Sequence, residues 1–147
     1  MINDMMLSQW FSKLAVLVPL ASILVLFTVP AIGVKHTVGD SIWSIPPTTD
    51  FYTKWSSSRS FHPGDILYFE FESEMYNVLR VSSQDYEFCA KSTALALETY
   101  GDGPASVTLK QEGYHFYICD ILDYCTLGLK LGVYVNATTP SLHGEPP

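Results

Sequence analysis

Length, composition and charge set the first limits on this chain. Its 147 residues are room for one domain, and 8 basic against 15 acidic side chains give a net charge of −7. An acidic chain without a cluster of lysines and arginines does not bind nucleic acid or anionic lipid through bulk electrostatics. The sequence therefore excludes these two classes of partner.

The first predicted element is an N-terminal signal peptide. The apolar run Leu14–Val29 contains no charge, Lys13 precedes it, and two small residues, Ala31 and Gly33, suit positions −3 and −1 of a cleavage site. This pattern predicts a signal peptide over residues 1–33, cleavage after Gly33, and export. The alternative is an uncleaved membrane anchor, but the run is shorter than the ~20 residues of a span, contains Pro19 and is followed by Pro30.

The exported part is predicted to form short β-strands separated by turns. In Ile66–Glu72, apolar and polar side chains alternate with the two-residue period of a half-buried strand. Further strands are predicted at residues 77–81, 106–109, 114–119 and 130–135. Helical turns are predicted after Asp50 and over Ser83–Cys89, with Asp50 and Ser83 as candidate N-caps. Many short strands without a sustained helical stripe indicate a β-sandwich or a Greek-key barrel.

The last twelve residues are predicted to form a tail. Residues 136–147 contain three prolines and few apolar side chains, which is typical of disorder. A glycolipid-anchor signal needs a hydrophobic C-terminal tail of ~10–20 residues, and none is seen, so we expect release without a membrane span once the signal is removed. Asn136–Thr138 is an N-glycosylation sequon, whose acceptor, Asn136, is expected at the surface.

All three cysteines, Cys89, Cys119 and Cys125, lie in the predicted exported part. Because export leads to an oxidising compartment, we expect one disulfide and one remaining thiol. The count alone leaves all three pairings open.

Four stretches of the exported part share their order and spacing with a known family. They are VGDS at 38–41 with Trp43, DFYTKW at 50–55, FHPGDILYF at 61–69, and Gly113–Leu131 with its two cysteines. Together they resemble the phytocyanins, the plant cupredoxins that include stellacyanin-like, plantacyanin-like and early nodulin-like proteins. The resemblance covers nearly all of residues 37–135. It implies that residues 34–135 form one all-β domain, an antiparallel Greek-key β-sandwich of the cupredoxin type.

The resemblance also implies which cysteines pair. The family's disulfide corresponds to Cys89 and Cys125, which leaves Cys119 as the free thiol. Such a bridge would add roughly 3–4 kcal/mol to stability by restricting the unfolded chain.

The same resemblance implies where copper ligands would stand. The family's first histidine, usually within His-Asn-Val, corresponds to Tyr76, and the second, which directly precedes the disulfide cysteine, corresponds to Tyr124. The thiolate position retains Cys119, and the axial methionine or glutamine position holds Leu129. These four positions therefore form a degenerate copper site.

The chemistry of these residues is unfavourable for copper. A blue-copper centre needs two imidazoles and a thiolate with a weak axial ligand. Phenols have a pKa near ~10, so two ionised tyrosines would be costly at neutral pH, and Leu129 offers no lone pair. Among the four histidines, His115 shares a predicted strand with Cys119, but one imidazole does not complete the set. We expect no copper and no other cofactor.

The sequence allows three roles for the altered positions. Tyr76 and Tyr124 either fill the space left by the metal or form a recognition surface for sugars, with Trp43 and Trp55 as further candidates. The third role makes Cys119 a reactive or intermolecular thiol, although neighbouring carboxylates disfavour the thiolate.

These observations favour an extracellular, non-catalytic module similar to the early nodulin-like proteins. No motif typical of an enzyme is present. The resemblance implies partners among cell-wall glycans, cell-surface glycoproteins or receptors. The alternative is a copper-dependent electron carrier, which Cys119 favours, and a decayed gene product is a third hypothesis.

Overall fold

The computed structural model describes residues 32–90 and 96–137. Nearly all of the predicted signal peptide, and the predicted tail from residue 138 onward, lie outside the described residues. The domain boundaries at these two ends therefore stay predictions. Among the described residues, no helix is long and apolar enough to cross a bilayer.

The described part of the chain forms two β-sheets with two short helices. The strands are β1 (Lys35–Ile42), β2 (Ile66–Glu70), β3 (Val78–Val81), β4 (Glu98–Tyr100), β5 (Ala105–Thr108), β6 (Gly113–Ile118) and β7 (Lys130–Val135). The helices are α1 (Phe51–Ser57) and α2 (Ser83–Phe88). One sheet has the strand order β1-β2-β5, and the other has the order β4-β3-β6-β7. The predicted β-sandwich is thus confirmed.

Strand pairing is antiparallel except at one edge, where β1 runs parallel to β2. The sequence patterns predicted neither β1 nor β4. In β1, Gly39 and Asp40 adopt positive φ angles of 69° and 57°, and the register shifts between Thr37 and Ile42, so alternation is lost. Strand β4 has three residues, which is too short for a periodic signal.

Aromatic side chains fill the space between the sheets. The alternating residues Leu67 and Phe69 are fully buried, as the strand pattern predicts. Trp43 packs against the rings of Tyr52 and Phe69, with ring centroids 4.7 and 5.1 Å away. Trp43 and Trp55 are 0% and 7% exposed, so both tryptophans belong to the core and neither can form a recognition surface.

The two helices form where predicted, and Asp50 is the N-cap residue of α1 as predicted, whereas the predicted cap of α2 is wrong. Helix α1 has no side-chain cap: the Asp50 carboxylate accepts a hydrogen bond from Thr48 and pairs with Lys54 one turn later. The cap of α2 is Ser82 rather than Ser83, because the Ser82 hydroxyl accepts the backbone N–H of Asp85. The two serines are adjacent, and the sequence alone does not say which one begins the helix.

The disulfide joins the end of α2 to the loop between β6 and β7. Cys89 follows α2 in a left-handed conformation with φ 49°, and its Cα lies 5.7 Å from that of Cys125. Cys119 stays free and buried. The pairing implied by the resemblance is therefore the one present.

A buried carboxylate fastens the N-terminal edge of the domain. Asp65 is 4% exposed and accepts hydrogen bonds from the backbone N–H groups of Val34 and His62, at 2.8 and 3.0 Å, and contacts His36 Nε2 at 3.1 Å. Burial by itself raises the pKa of Asp65, but these hydrogen bonds outweigh it and hold the pKa below its ordinary value. Val34 and His36 are thereby tied to the turn before β2.

We expect Asp65→Asn to lower the free energy of unfolding by about 2 kcal/mol at neutral pH. The amide has only one acceptor oxygen, whereas the carboxylate uses both of its oxygens to accept the backbone N–H groups of Val34 and His62. The folded pKa of Asp65 lies below the unfolded value of about 3.9, so this difference is fully present above the unfolded pKa and shrinks as the pH falls through the folded pKa. Denaturant unfolding at several pH values measures it, with Asp102→Asn, an exposed carboxylate, as control. A difference that persists unchanged into strong acid contradicts the assignment.

Candidate site at the altered copper positions

Three segments bring the four predicted site residues together at one end of the sandwich. Tyr76 lies just before β3, Cys119 directly follows β6, and Tyr124 and Leu129 lie in the loop that leads to β7. The rings of Tyr76 and Tyr124 are 5.7 Å apart between centroids and tilted by 43°. The backbone N–H of Leu129 donates to Tyr124 O at 2.9 Å, and that of Cys119 donates to Leu129 O at 3.1 Å.

The four side chains differ in exposure, and this separates an inner pair from an outer pair. Cys119 and Leu129 are both 0% exposed and belong to the main core. Tyr76 and Tyr124 are half-buried and pack against that core from outside. The two rings therefore pack against the core to which the thiol and the leucine belong, and they still present part of their surface to solvent.

Asn77 joins the segment of Tyr76 to the segment of Cys119. Its Nδ2 donates to Asp120 Oδ1 at 2.6 Å, and its Oδ1 accepts the backbone N–H of Asp120 at 3.2 Å. Its carbonyl oxygen also accepts the indole N–H of Trp43 at 3.0 Å. We call this arrangement the Asn77–Asp120 bridge. Sequence reasoning did not assign it, although the retained Asn-Val pair after Tyr76 marks the position.

The thiol of Cys119 is held in its neutral form. Burial raises the pKa of this thiol above its ordinary value. Hydrogen bonds from the backbone N–H groups of Asn77 and Ile121 to the sulfur lower the pKa, but by less than burial raises it. The charge of Asp120 raises it further, in line with the sequence-based expectation. A buried, protonated thiol is a poor nucleophile, so the arrangement does not favour a reactive cysteine.

The donor set at this end consists of one thiol and two phenols. Leu129 contributes no lone pair, His36 and His115 are engaged elsewhere, and His62 is exposed in the turn before β2. His36 contacts Asp65, and His115 is buried with its Nε2 2.8 Å from Gln111 O. Within the described ranges, no group of three or more His, Cys, Asp and Glu side chains is placed to hold a metal ion. These residues do not fit a blue-copper centre.

A shallow apolar cleft of about 290 Å³ adjoins Tyr76. Ile42 and Met75 line it and are 56% and 52% exposed. The loop that carries Tyr124 exposes two further leucines, Leu122 at 68% and Leu127 at 48%. Sequence reasoning missed these residues because they lie at strand ends and in loops, where no periodic pattern shows which side chains are exposed. An exposed group of rings and aliphatic side chains is typical of an interaction site.

The predicted glycosylation site lies elsewhere. Asn136 follows β7, is half-buried, and donates from Nδ2 to Phe61 O at 3.2 Å. It lines a separate cavity that shares no residue with the cleft beside Tyr76.

Comparisons with known proteins agree with this geometry. Residues 43–129 match the family model described as a plastocyanin-like domain. The chain is 37% identical to stellacyanin of Toxicodendron vernicifluum over 109 residues, which cover 72% of this chain and 98% of that protein. It is 33% identical to early nodulin-like protein 17 of Arabidopsis thaliana over 138 residues, which cover 92% of this chain and 78% of that protein.

Solved structures give the same answer for the fold. A Cu²⁺ form of cucumber stellacyanin superposes with a TM-score of 0.66 at 28% identity, covering 73% of this chain and 99% of that one. Cucumber basic protein, a blue copper protein, superposes with a TM-score of 0.60 at 26% identity, covering 69% and 99%. The domain is thus similar in backbone to a Cu²⁺-containing stellacyanin and to a blue copper protein.

We expect Asn77→Ala to destabilise the fold by about 2–3 kcal/mol, because it removes both side-chain hydrogen bonds of the Asn77–Asp120 bridge, one of them to a carboxylate. Asp120→Ala removes the partner of one of them, so the double variant should lose less than the sum of the two single losses. Denaturant midpoints of the four proteins measure this coupling. Additive losses within about 0.3 kcal/mol would show that the two residues act independently.

Proposed function

Because this chain belongs to the phytocyanin family of plastocyanin-like domains, we propose that it is an exported, non-catalytic binding module. In this proposal the domain holds no copper. The end that carries Tyr76 and Tyr124 recognises a glycan or a glycoprotein at the cell surface or in the wall matrix.

What supports the proposal is a pair of half-buried phenols, at the positions where the resemblance implies imidazoles, packed against a core that contains a buried thiol and leucine. Tyr76 and Tyr124 pack on each other at 5.7 Å, and the buried Leu129 stands where an axial donor is expected. Cys119 keeps its proton because burial raises its pKa. Copper binding would therefore require the ionisation of a buried thiol without any imidazole to complete the set.

The exposed surface at this end suits a sugar. Half-exposed tyrosine rings offer an apolar face for the C–H side of a pyranose and a hydroxyl for its polar edge. The cleft beside Tyr76, with Ile42 and Met75 at its rim, extends this face. The net charge of −7 disfavours polyanionic polysaccharides and favours a neutral glycan or a basic glycoprotein.

One observation favours a second function, copper-dependent electron transfer. Cys119 occupies the thiolate position, and the backbone N–H groups of Asn77 and Ile121 donate to its sulfur, which stabilises a thiolate. Two solved structures with the same fold are a Cu²⁺ form of stellacyanin and a blue copper protein. Against this stands the absence of an imidazole from the four matching positions, Tyr76, Cys119, Tyr124 and Leu129.

Binding to immobilised wall glycans, neutral and acidic, tests the recognition role. We expect Tyr76→Ala and Tyr124→Ala each to weaken binding of a neutral glycan about tenfold, as loss of a stacked ring removes roughly 1–1.5 kcal/mol. Tyr68→Ala is the matched control, because Tyr68 is a half-buried tyrosine on β2, and it should leave the affinity unchanged. No binding above a scrambled protein, or equal loss in all three variants, would refute the recognition surface.

Restoring the copper donors by mutation tests whether the backbone can still form a copper site once the missing side chains are supplied. We expect the variant Tyr76→His/Tyr124→His/Leu129→Gln to bind roughly one copper per chain and to show an intense thiolate-to-copper absorption band. Adding Cys119→Ser to the same variant should abolish the band, which makes it the matched control. A folded triple variant that takes up no copper would contradict the idea that the backbone still forms a cupredoxin site.

A further inference from the structure

A second aromatic surface lies on the face of the β4-β3-β6-β7 sheet that is turned away from the core. Tyr114 on β6 and Tyr134 on β7 are directly opposite in the strand register and are 70% and 51% exposed. Their neighbours His115 and Val133, also opposite each other, point inward and are buried. The two tyrosines therefore form a cross-strand pair on the outer face.

The rings continue from this pair into a groove of about 400 Å³. The ring centroids of Tyr114 and Tyr134 are 4.8 Å apart, and Phe116 lies 5.9 Å from Tyr114 with its plane tilted by only 5°. Tyr86 from α2 follows, 4.9 Å from Phe116. Gly132 keeps the floor open, because a Cβ there would lie 3.4 Å from the Phe116 ring. We call this surface the Tyr114–Tyr134 groove.

One wall of the Tyr114–Tyr134 groove is polar. Thr53, Ser56 and Ser57 of α1 and Ser60 after it line the groove opposite the rings. A surface with aromatic faces on one side and hydroxyl groups on the other matches the two kinds of surface on a sugar ring. The hydroxyls of Ser56 and Ser57 donate to Thr53 O, so their oxygens can still accept hydrogen bonds from the hydroxyl groups of a sugar. An apolar helix or a lipid has no donor for these oxygens.

Asn136 lines the same groove. It comes two residues after Tyr134, so the two-residue period of the strand places both on one side of the chain. Its backbone N–H and its Nδ2 both donate to Phe61 O, at 2.8 and 3.2 Å. The amide carries two hydrogens, and this contact uses one, so the other stays available for substitution.

We propose that the Tyr114–Tyr134 groove is the seat of an N-linked glycan carried by Asn136 itself. Attachment from a lipid pyrophosphate donor forms a bond between Asn136 Nδ2 and the first sugar carbon. The amide loses one proton, and the lipid pyrophosphate leaves. The first sugar then lies on the ring of Tyr134, and the next sugars extend over Tyr114. This requires export of the chain but not the recognition role of the Tyr76 and Tyr124 end.

A glycan of the same chain is the occupant that the placement favours. A sugar attached two residues from Tyr134 meets the rings at the high effective concentration of an intramolecular contact, so weak stacking is sufficient. The attached glycan also covers two of the most exposed aromatic rings in the described part of the chain. Exposed rings of this kind otherwise favour association between molecules.

The test compares the chain secreted from a cell that attaches N-glycans with its Thr138→Ala variant, which lacks the sequon but keeps the Asn136 side chain. We expect mass spectrometry to show a glycan on Asn136 in the first protein only. We expect the melting temperature to fall by about 4 °C in the variant, because contacts between sugar and ring are lost. In a parallel sample the glycan is trimmed to its first sugar, and we expect most of the difference in melting temperature from Thr138→Ala to remain.

A double-variant cycle separates seating from attachment. In a Tyr134→Ala background, Thr138→Ala should no longer change the melting temperature, whereas in a Tyr68→Ala background its effect should be undiminished. In NMR spectra of the parent chain, the proton signals of the first sugar should be shifted upfield by the ring of Tyr134. In Tyr134→Ala they should return to the values of a free glycan, and this readout does not depend on the stability of the variant. An unmodified Asn136, an undiminished effect in Tyr134→Ala, or a free oligosaccharide that binds the glycosylated chain through Tyr114 would overturn the proposal. Unchanged glycan binding at the Tyr76 and Tyr124 end in Thr138→Ala would show that the two surfaces are independent.

Discussion

The reciprocal hydrogen bonds between Asn77 and Asp120 hold together the two segments on which the candidate site depends. One segment leads into β3 and carries Tyr76, and the other leaves β6 and carries Cys119. The disulfide from Cys89 to Cys125 fixes the following loop from the other side. With these constraints in place, the side chains at this end can change without a change in the backbone that positions them.

The family resemblance implies that this end has kept the backbone of a metal site and lost its donors. The thiol and the loop that returns to β7 are present, whereas phenols stand at the two positions where the resemblance implies imidazoles, and a hydrocarbon side chain stands at the implied axial position. Tyr76 and Tyr124 change the physical character of this end from a polar ligand set to an aromatic surface beside an apolar cleft. A surface of that kind is suited to binding rather than to electron transfer.

Much of the fold follows from local patterns in the sequence. The alternation around Leu67 and Phe69 predicted β2, and β7 has the predicted bounds. Strand β1 escaped prediction because two left-handed residues, Gly39 and Asp40, break its alternation. The convergence of Tyr76 with Tyr124 came from the family resemblance, since no local pattern relates positions 48 residues apart. The Tyr114–Tyr134 groove was out of reach because it depends on the register between β6 and β7, which neither strand encodes alone.

Copper binding by residues 34–147, the chain expected after removal of the predicted signal peptide, tests the central claim most directly. The purified, oxidised protein is dialysed with Cu²⁺, and the bound copper is measured together with the visible spectrum and the circular dichroism of the fold. We predict a folded protein with almost no bound copper and no thiolate-to-copper band. Roughly one copper per chain with an intense band would contradict the account, because it would show that Cys119 ionises and that the phenol-lined end still forms a redox centre.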